Sequence, residues 1–451
     1  MTQKEIVVVG AGMAGLVSAI RAQELGARVT LLEKGPSPGG SLALSGGTLW
    51  CARTVEDLQR LVPRGHPVLG PLLVDDFPSG VAWLESLGAA LTRLESKPDR
   101  VVYMMDPNPG AFIDHMLGLF LSKGGTLLPE TSAVDLRTTD EGLVIGVTVR
   151  PGAGPRYALD ASAVILATGG FQANPEMMAR YFGRWSDRLV LRGNAQSTGD
   201  GWNMAQAIGA GTSAAMSSFY GHLLPAPPAK VPTHDFIAYT QYHSEQGVLV
   251  NREGSRFTDE SLGDETNAQA VARQHEAIAY LIYDDTMYRG FAVRPGGNGA
   301  RASDTFFESQ ALGAPAATAS SLEELARAMQ SHGLHAPGFL ATLTAYNNAV
   351  AAGTTAQLPV PRRQLANPVT APPFYALGVT PGVTFTLGGL PIDEHAQVLD
   401  RNGSPLPGLY AAGADAGGIH NEQYAGGLCL GLVFGRRAAQ HATGTDCNPL
   451  M

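Results

Sequence analysis

The chain opens with a short apolar run, Ile6 to Val9, then a glycine-broken loop, then apolar positions at helical spacing from Met13 to Leu25. A second apolar run, Arg28 to Leu32, follows and ends on Glu33. Run, periodic stretch and run in that order predict a strand, a helix and a second strand of one βαβ unit. Residues 54–125 read as mostly helical, with a Pro-rich turn at Asp106-Pro107-Asn108-Pro109. Residues 126–150 alternate like antiparallel strands, and Val164 to Ala167 reads as a buried strand. Thr198-Gly199-Asp200-Gly201 opens a helix from Trp202 to Ile208. Near residue 217 the texture becomes aromatic and Pro-interrupted. Asn251 to Asp259 then reads as a polar hairpin, and helices follow around 265–277, 321–331 and 337–352. Val379 to Thr386 and Leu409 to Gly413 return to strands, and a helix from Leu428 to Gln440 closes the pattern.

This order predicts an α/β protein. A Rossmann-like nucleotide domain covers 1–216, an inserted α+β capping domain covers 217–383, and 384–451 returns to the first domain. An inserted cap predicts a ligand cleft where the two domains meet. The length of 451 residues agrees, being too great for one simple core.

Composition narrows the function. A net charge of −9, with no basic stripe, argues against nucleic acid and anionic membranes as partners. Cys51, Cys429 and Cys447 form no CxxC pair and no zinc spacing, which predicts a reducing compartment and no metal site. The first strand starts too early for a signal peptide, and no apolar run reaches membrane-spanning length, so a cytoplasmic location is expected.

The first chemistry lies in Gly10-Ala11-Gly12-Met13-Ala14-Gly15. In its strand–loop–helix setting this is a dinucleotide fingerprint. Gly10 allows the turn, Gly12 lets backbone N–H groups approach a pyrophosphate at the helix N-terminus, and Gly15 lets helix and strand lie close. Glu33 stands where a carboxylate accepts from both ribose hydroxyls, which argues against a 2′-phosphate. A bound ADP moiety follows.

Five further segments accompany the fingerprint: Gly39-Gly40-Ser41, Ala167-Thr168-Gly169-Gly170, Thr198-Gly199-Asp200-Gly201, Asn251 to Phe257, and Tyr410 to Asp415. Together, in order and over nearly the whole chain, they resemble the fumarate reductase/succinate dehydrogenase flavoprotein family, which includes 3-ketosteroid dehydrogenases and urocanate reductase. The resemblance implies FAD, a split FAD-binding domain with a cap, and hydride transfer at flavin N5. It implies FAD contacts from Gly10, Gly12, Ala14, Gly15, Glu33, Lys34, Gly40, Ser41, Ser45, Gly46, Gly47, Ala167, Thr168 and Gly169. Asp200, Gly413, Asp415, Gly427 and Leu428 complete the set. Asp415 resembles the family's acid on the ribityl chain, with a turn cap as its alternative role. Asp200 is expected either to cap its helix or to serve the cofactor. The final helix N-terminus near Gly427-Leu428 is expected to face the flavin N1/C2=O edge. No histidine lies in Gly40 to Gly47, so noncovalent FAD is implied.

The dicarboxylate enzymes of that family hold substrate with histidines and arginines. His222 matches the first histidine. The catalytic arginine position falls near Asp264, the second histidine near Thr384 or Phe385, and the second arginine near Tyr424. An Asp would repel a dicarboxylate. Tyr424-Ala425-Gly426-Gly427 is instead similar to the ketosteroid dehydrogenase segment, in which a tyrosine hydroxyl and a glycine N–H polarise a keto oxygen. The expected reaction is desaturation of a cyclic ketone, a 3-ketosteroid or a smaller alicyclic ring, by α-proton abstraction and hydride transfer to flavin N5. Tyr424 and Gly427 would bind the ketone, with Tyr103, Tyr239, Tyr242, His222 or Asp264 as the base. A diffusible acceptor or oxygen would take the electrons.

Two alternatives stand beside this. The first is a fumarate-reductase-like reductase of an unsaturated carboxylic acid, with an arginine such as Arg192 or Arg301 replacing the missing pair. The second is a flavoprotein subunit of an electron-transfer complex. Arg252 and Arg256 are read as salt-bridging, and His420 and Asn421 as neighbours of the flavin edge.

Overall fold

A computed structural model describes residues 3–232, 235–295 and 302–445. Arg301 and Cys447 therefore lie outside the described residues. The chain divides into two units. The first comprises Met1–Tyr181, Gly193–Tyr220 and Phe385–Met451, and the second Phe182–Arg192 and Gly221–Thr384. The excursion of residues 182–192 into the second unit has no counterpart in the sequence pattern.

The first unit is built on a six-stranded sheet, in the order Gln397–Leu399, Pro405–Ala411, Ala163–Leu166, Glu5–Val9, Arg28–Leu32 and Thr126–Leu128. All neighbours are parallel except the antiparallel edge pair Gln397–Leu399 and Pro405–Ala411. Thr126–Leu128 thus corrects the expected antiparallel reading of 126–150, which holds only for Thr131–Thr138 and Val144–Pro151. Register aligns the strand ends: Val9 pairs with Leu32 and Leu166, and Leu166 with Ala411. The residues that follow, Gly10, Glu33, Ala167 and Ala412, therefore line one edge, the C-terminal edge where α/β sheets bind ligands.

The helix Met13–Glu24 is buried nearly all round for its first two turns. Its second apolar face meets the closing helix Leu428–Ala442, whose Gly431 and Gly435 lie so close that a side chain there would come within 3.0 Å of Ala14 N and 2.9 Å of Ala14 O. Ser18 Oγ donates to Gly435 O at 3.1 Å across the same contact. The stretch 54–125 is less helical than its composition suggests. Leu91–Leu94 and Arg100–Met105 form a three-stranded antiparallel sheet with Thr48–Ala52.

The second unit centres on the long strand Phe374–Thr386. It pairs with Val190–Leu191, Phe219–Pro225, Ala279–Asp284 and Ala316–Ala319, and Val248–Val250 adds to Ala279–Asp284. The helices Leu322–Gln330 and Ala336–Ala352 close an apolar core around Tyr280, Met329, Phe339, Leu343 and Tyr346. Among the described residues no helix is long and apolar enough to cross a membrane.

Candidate functional site

The aligned strand ends build a nucleotide cradle in the first unit. A Cβ on Gly10 would lie 2.3 Å from Ala167 O, and one on Gly15 would lie 1.8 Å from Gly10 O, so both positions exclude any side chain. Gly12 differs: a Cβ there would find its nearest atom, Gly39 O, at 3.8 Å. Its face of the loop is open. Gly12 also caps the helix with no side-chain acceptor on the first-turn N–H groups, an arrangement that fits a phosphate. The second glycine loop faces it. Gly39 N donates to Ala11 O at 2.8 Å, and a Cβ on Gly40 would lie 3.5 Å from Gly12 Cα. Ser41 sits in the short helix Gly40–Ala43. Ser45 Oγ accepts from Gly47 N at 3.1 Å and donates to Leu42 O at 2.7 Å, which shapes the turn through Gly46.

Glu33 is 7% exposed. Its Oε2 accepts from Ala11 N at 3.1 Å and its Oε1 from Gly35 N at 2.7 Å. Each oxygen retains a second lone pair, so the carboxylate is fixed in place and can still accept from a ribose. These observations fit FAD at this edge.

Lys34 and Asp200 bond to each other at the edge of this cradle. Lys34 Nζ donates to Asp200 Oδ2 at 2.8 Å and to Thr198 Oγ1 at 2.7 Å. Asp200 begins the helix Asp200–Ala207, but the helix is capped by Gly199 with no side-chain bond, so Asp200 anchors Lys34 instead of capping. Asp415 is buried and accepts from both Thr168 N and Thr168 Oγ1. Burial pushes its carboxyl up to about 7 against the pull of those hydrogen bonds. It joins the Ala167-Thr168-Gly169 loop to Gly413, whose missing side chain leaves room for Ala14 Cβ.

Tyr424 lies in an aromatic cluster of the first unit. Its ring stacks on Tyr220 at 3.8 Å between centres and meets Trp50, His420 and Phe385 edge-on at 5.5, 5.9 and 6.0 Å. Gly427 N donates to Tyr424 Oη at 2.7 Å. This modifies the expected two-donor clamp, because the glycine amide points at the tyrosine oxygen itself. Leu428 follows as the first residue of the closing helix, which has no side-chain cap. His420 is buried, both ring nitrogens lack a partner among the described residues, and burial holds the imidazole down near 4 and hence neutral.

Tyr103 is not brought to this cluster. In the Thr48–Ala52/Arg100–Met105 pairing, Trp50 faces Val102 and Tyr103 faces Leu49, so alternation puts Tyr103 on the opposite side from Trp50. It packs on Phe77.

The second unit carries another cluster. His222, on the strand Phe219–Pro225, bonds through Nδ1 to Asp264 Oδ2 at 2.5 Å and meets the Tyr242 ring at 4.8 Å. Burial, then the Arg192 charge, lowers the imidazole to about 3, so the contact is a hydrogen bond from a neutral histidine, not an ion pair. Asp264 and Glu265 open the helix Asp264–Ala272. Burial raises both carboxyls, and Glu265 holds the proton of the pair, donating to Asp264. Ligand atoms of His222, Asp264 and Glu265 lie within 4.8 Å of one another. Arg192 donates to Tyr242 Oη at 3.0 Å and to Thr384 Oγ1 at 2.8 Å. Tyr239 ends the short helix Phe236–Tyr239.

Arg256 forms the salt bridge read from sequence, but its partner is the fully buried Glu260, which also binds Arg362. Arg252 pairs with Glu276. Asn421 Oδ1 accepts from Ser218 Oγ at 3.3 Å. Sequence reasoning missed Trp50, Glu265 and the proton that Glu265 holds toward Asp264. Only the Asp-Glu doublet at a helix start signalled any of them.

Comparison with known proteins agrees with this cradle. Residues 5–430 match the family described as FAD binding domain. The chain is 29% identical to a fumarate reductase (cytochrome) of Shewanella frigidimarina, over 97% of this chain and 76% of that protein. It is 28% identical to a vinyl phenol reductase of Lactiplantibacillus plantarum, over 97% of this chain and 96% of that protein. In fold it is similar to 3-ketosteroid delta1-dehydrogenase from Sterolibacterium denitrificans, with a TM-score of 0.79 at 20% identity, covering 98% and 100% of the two chains. The chain belongs to the FAD binding domain family and is an FAD-dependent oxidoreductase of the fumarate reductase group.

Proposed function

We propose that this protein reduces a carbon–carbon double bond conjugated to a carbonyl group, on a substrate other than a dicarboxylate. Bound FAD supplies the two-electron exchange. The carrying observation is the Tyr424 hydroxyl, with the Gly427 N–H on its oxygen, inside the wall of Trp50, Tyr220, Phe385 and His420. An N–H donated to a phenol oxygen polarises its O–H, so Tyr424 is a stronger donor to a substrate carbonyl than a lone tyrosine. That donation withdraws electron density from the conjugated double bond and stabilises charge developing on the oxygen. The aromatic wall suits a flat substrate and excludes water.

Relatives' names support the reductive direction, both being reductases. The residues disfavour a dicarboxylate: Asp264 occupies the family's arginine position by count, and Tyr424, Thr384 and Phe385 carry no charge. Electrons would come from a diffusible carrier or a partner protein.

A second reading runs the groups in the opposite sense. Tyr424 would bind the keto oxygen of a cyclic ketone and acidify the α-carbon from which the proton leaves. The Tyr424-Ala425-Gly426-Gly427 segment supports it, and the Gly427 amide already directed at Tyr424 counts against a two-donor clamp.

Viologen-driven reduction of a panel of enones, unsaturated monoacids, vinyl phenols and fumarate, with products identified by mass, separates the readings. The proposal expects conjugated monofunctional alkenes to gain two hydrogens and fumarate to stay intact. Fumarate as the fastest substrate overturns it. Dye-coupled desaturation of ketones with no alkene reduced moves the assignment to the second reading.

A further inference from the structure

Arg192 is only 4% exposed. It directly follows the strand Val190–Leu191, whose parallel register on Phe374–Thr386 sets it beside Thr384. Its Nε donates to Thr240 Oγ1 at 3.2 Å, its Nη1 to Thr384 Oγ1 at 2.8 Å and its Nη2 to Tyr242 Oη at 3.0 Å. The guanidinium lies 4.5 Å from the Phe236 ring centre. Among the described residues no carboxylate comes within ion-pair distance of it. Asp264 feels its charge only at a distance, while bonded to His222.

A buried guanidinium without a carboxylate partner is costly, so such groups are ordinarily neutralised. Here only hydroxyl oxygens answer it, on three of its five N–H donors. Thr240 gives its own proton to Phe236 O at 2.9 Å. Tyr242 and Thr384 accept from Arg192, and among the described residues their own protons find no acceptor. A second cation, Arg294, stands 5.4 Å from the Tyr242 ring centre. The rim is therefore one of donors under positive charge, and Tyr242 and Thr384 are its half-exposed members.

We propose that Arg192, with the hydroxyls of Tyr242 and Thr384, forms an oxyanion site that binds the carboxylate of a monocarboxylic acid. The guanidinium supplies charge-assisted N–H donors, and the two hydroxyls turn their protons to the same oxygens. One buried cation answers one carboxylate. The inference rests on the reductase reading and narrows its substrate to an unsaturated monoacid.

Isothermal titration of the FAD-loaded protein with benzoate and with its neutral counterpart benzamide tests the site without turnover. The proposal expects saturable benzoate binding, and benzamide weaker by about tenfold or more, as for loss of a charge-assisted contact. Arg192→Gln should weaken benzoate about tenfold at unchanged flavin content, and Arg192→Lys should recover part of it. Thr384→Val, a milder change, should weaken it by about a few-fold and decides the matter if Arg192→Gln fails to fold. Equal binding of benzoate and benzamide, no benzoate binding, or benzoate affinity untouched by these variants overturns the proposal. Arg192-dependent benzoate binding with no alkene reduced would remove the reductase reading and leave the anion site standing.

Discussion

Tyr424→Phe removes one oxygen and keeps the ring. The stack on Tyr220 and the edge contacts to Trp50, Phe385 and His420 need only the ring, so the cluster should persist. The structural loss is the acceptor for Gly427 N, at 2.7 Å. Gly427 is half-buried, so its amide can recruit water, and the cost falls at the low end of the range for an orphaned donor, about 1 kcal/mol. The catalytic loss is larger. Removing one donor to a developing oxyanion costs about 100- to 1,000-fold in rate, or roughly 3–4 kcal/mol. The variant should therefore purify yellow with full FAD content, melt within a few degrees of the parent, and reduce conjugated alkenes at roughly one-hundredth of the parent rate or less. The assay is viologen-driven turnover beside flavin quantification on the same preparation. Full-rate turnover by a flavin-loaded Tyr424→Phe would refute the donor role. Loss of flavin would show that the tyrosine serves the cofactor's fold instead.

Three further outcomes follow from other contacts. Glu33→Ala leaves Ala11 N and Gly35 N without their acceptor and should lower the FAD-to-protein ratio after gel filtration, an unchanged ratio counting against the ribose role. Glu260→Gln leaves Arg256 and Arg362 buried without their shared carboxylate and should destabilise the protein by about 3–5 kcal/mol in chemical denaturation. Stability of the flavin-free protein should fall as pH rises from 6.5 to 8. Burial raises Asp415 from 3.8 to about 7 and Glu265 from 4.5 to about 8, so their protonated forms stabilise the fold below the unfolded values, and those contributions are lost as pH rises through about 7 and about 8. His420, lowered from 6.5 to about 4, acts in the opposite sense and only below 6.5, where its contribution is lost as pH falls through about 4. A melting temperature that climbs between pH 6.5 and 8, or a fall unaltered in Asp415→Asn, would contradict this.

What could be read from the chain depended on how local the cause was. Gly10 and Gly15 are demanded by atoms under 2.5 Å away in the same short loop or the adjoining strand end, and their spacing announces the cradle. Tyr424 and Gly427 are three residues apart, so their pairing was also visible in outline, though not that the amide points at the phenol. The strand Ala279–Asp284 is buried at all six positions and so shows no alternation for a pattern to detect. Arg100–Met105 lacks clean alternation because it packs on both faces of a small sheet. Arg192 was harder still. It is a candidate beside Arg301 to hold an acid, but its three hydroxyl partners lie 48, 50 and 192 residues away, so its setting was not legible. The contact between Lys34 and Asp200 spans 166 residues and was not visible for the same reason.

The most direct test of the account is an anaerobic half-reaction. The purified protein is reduced with dithionite, freed of excess reductant and mixed with an unsaturated monoacid, an enone and fumarate in turn while the flavin visible band is followed. The account predicts that the band returns with the monoacid, at a rate that saturates with its concentration, and that the recovered product carries two more hydrogens. Reoxidation by fumarate alone, or by none of the alkenes while saturated ketones bleach the oxidised protein, would contradict it.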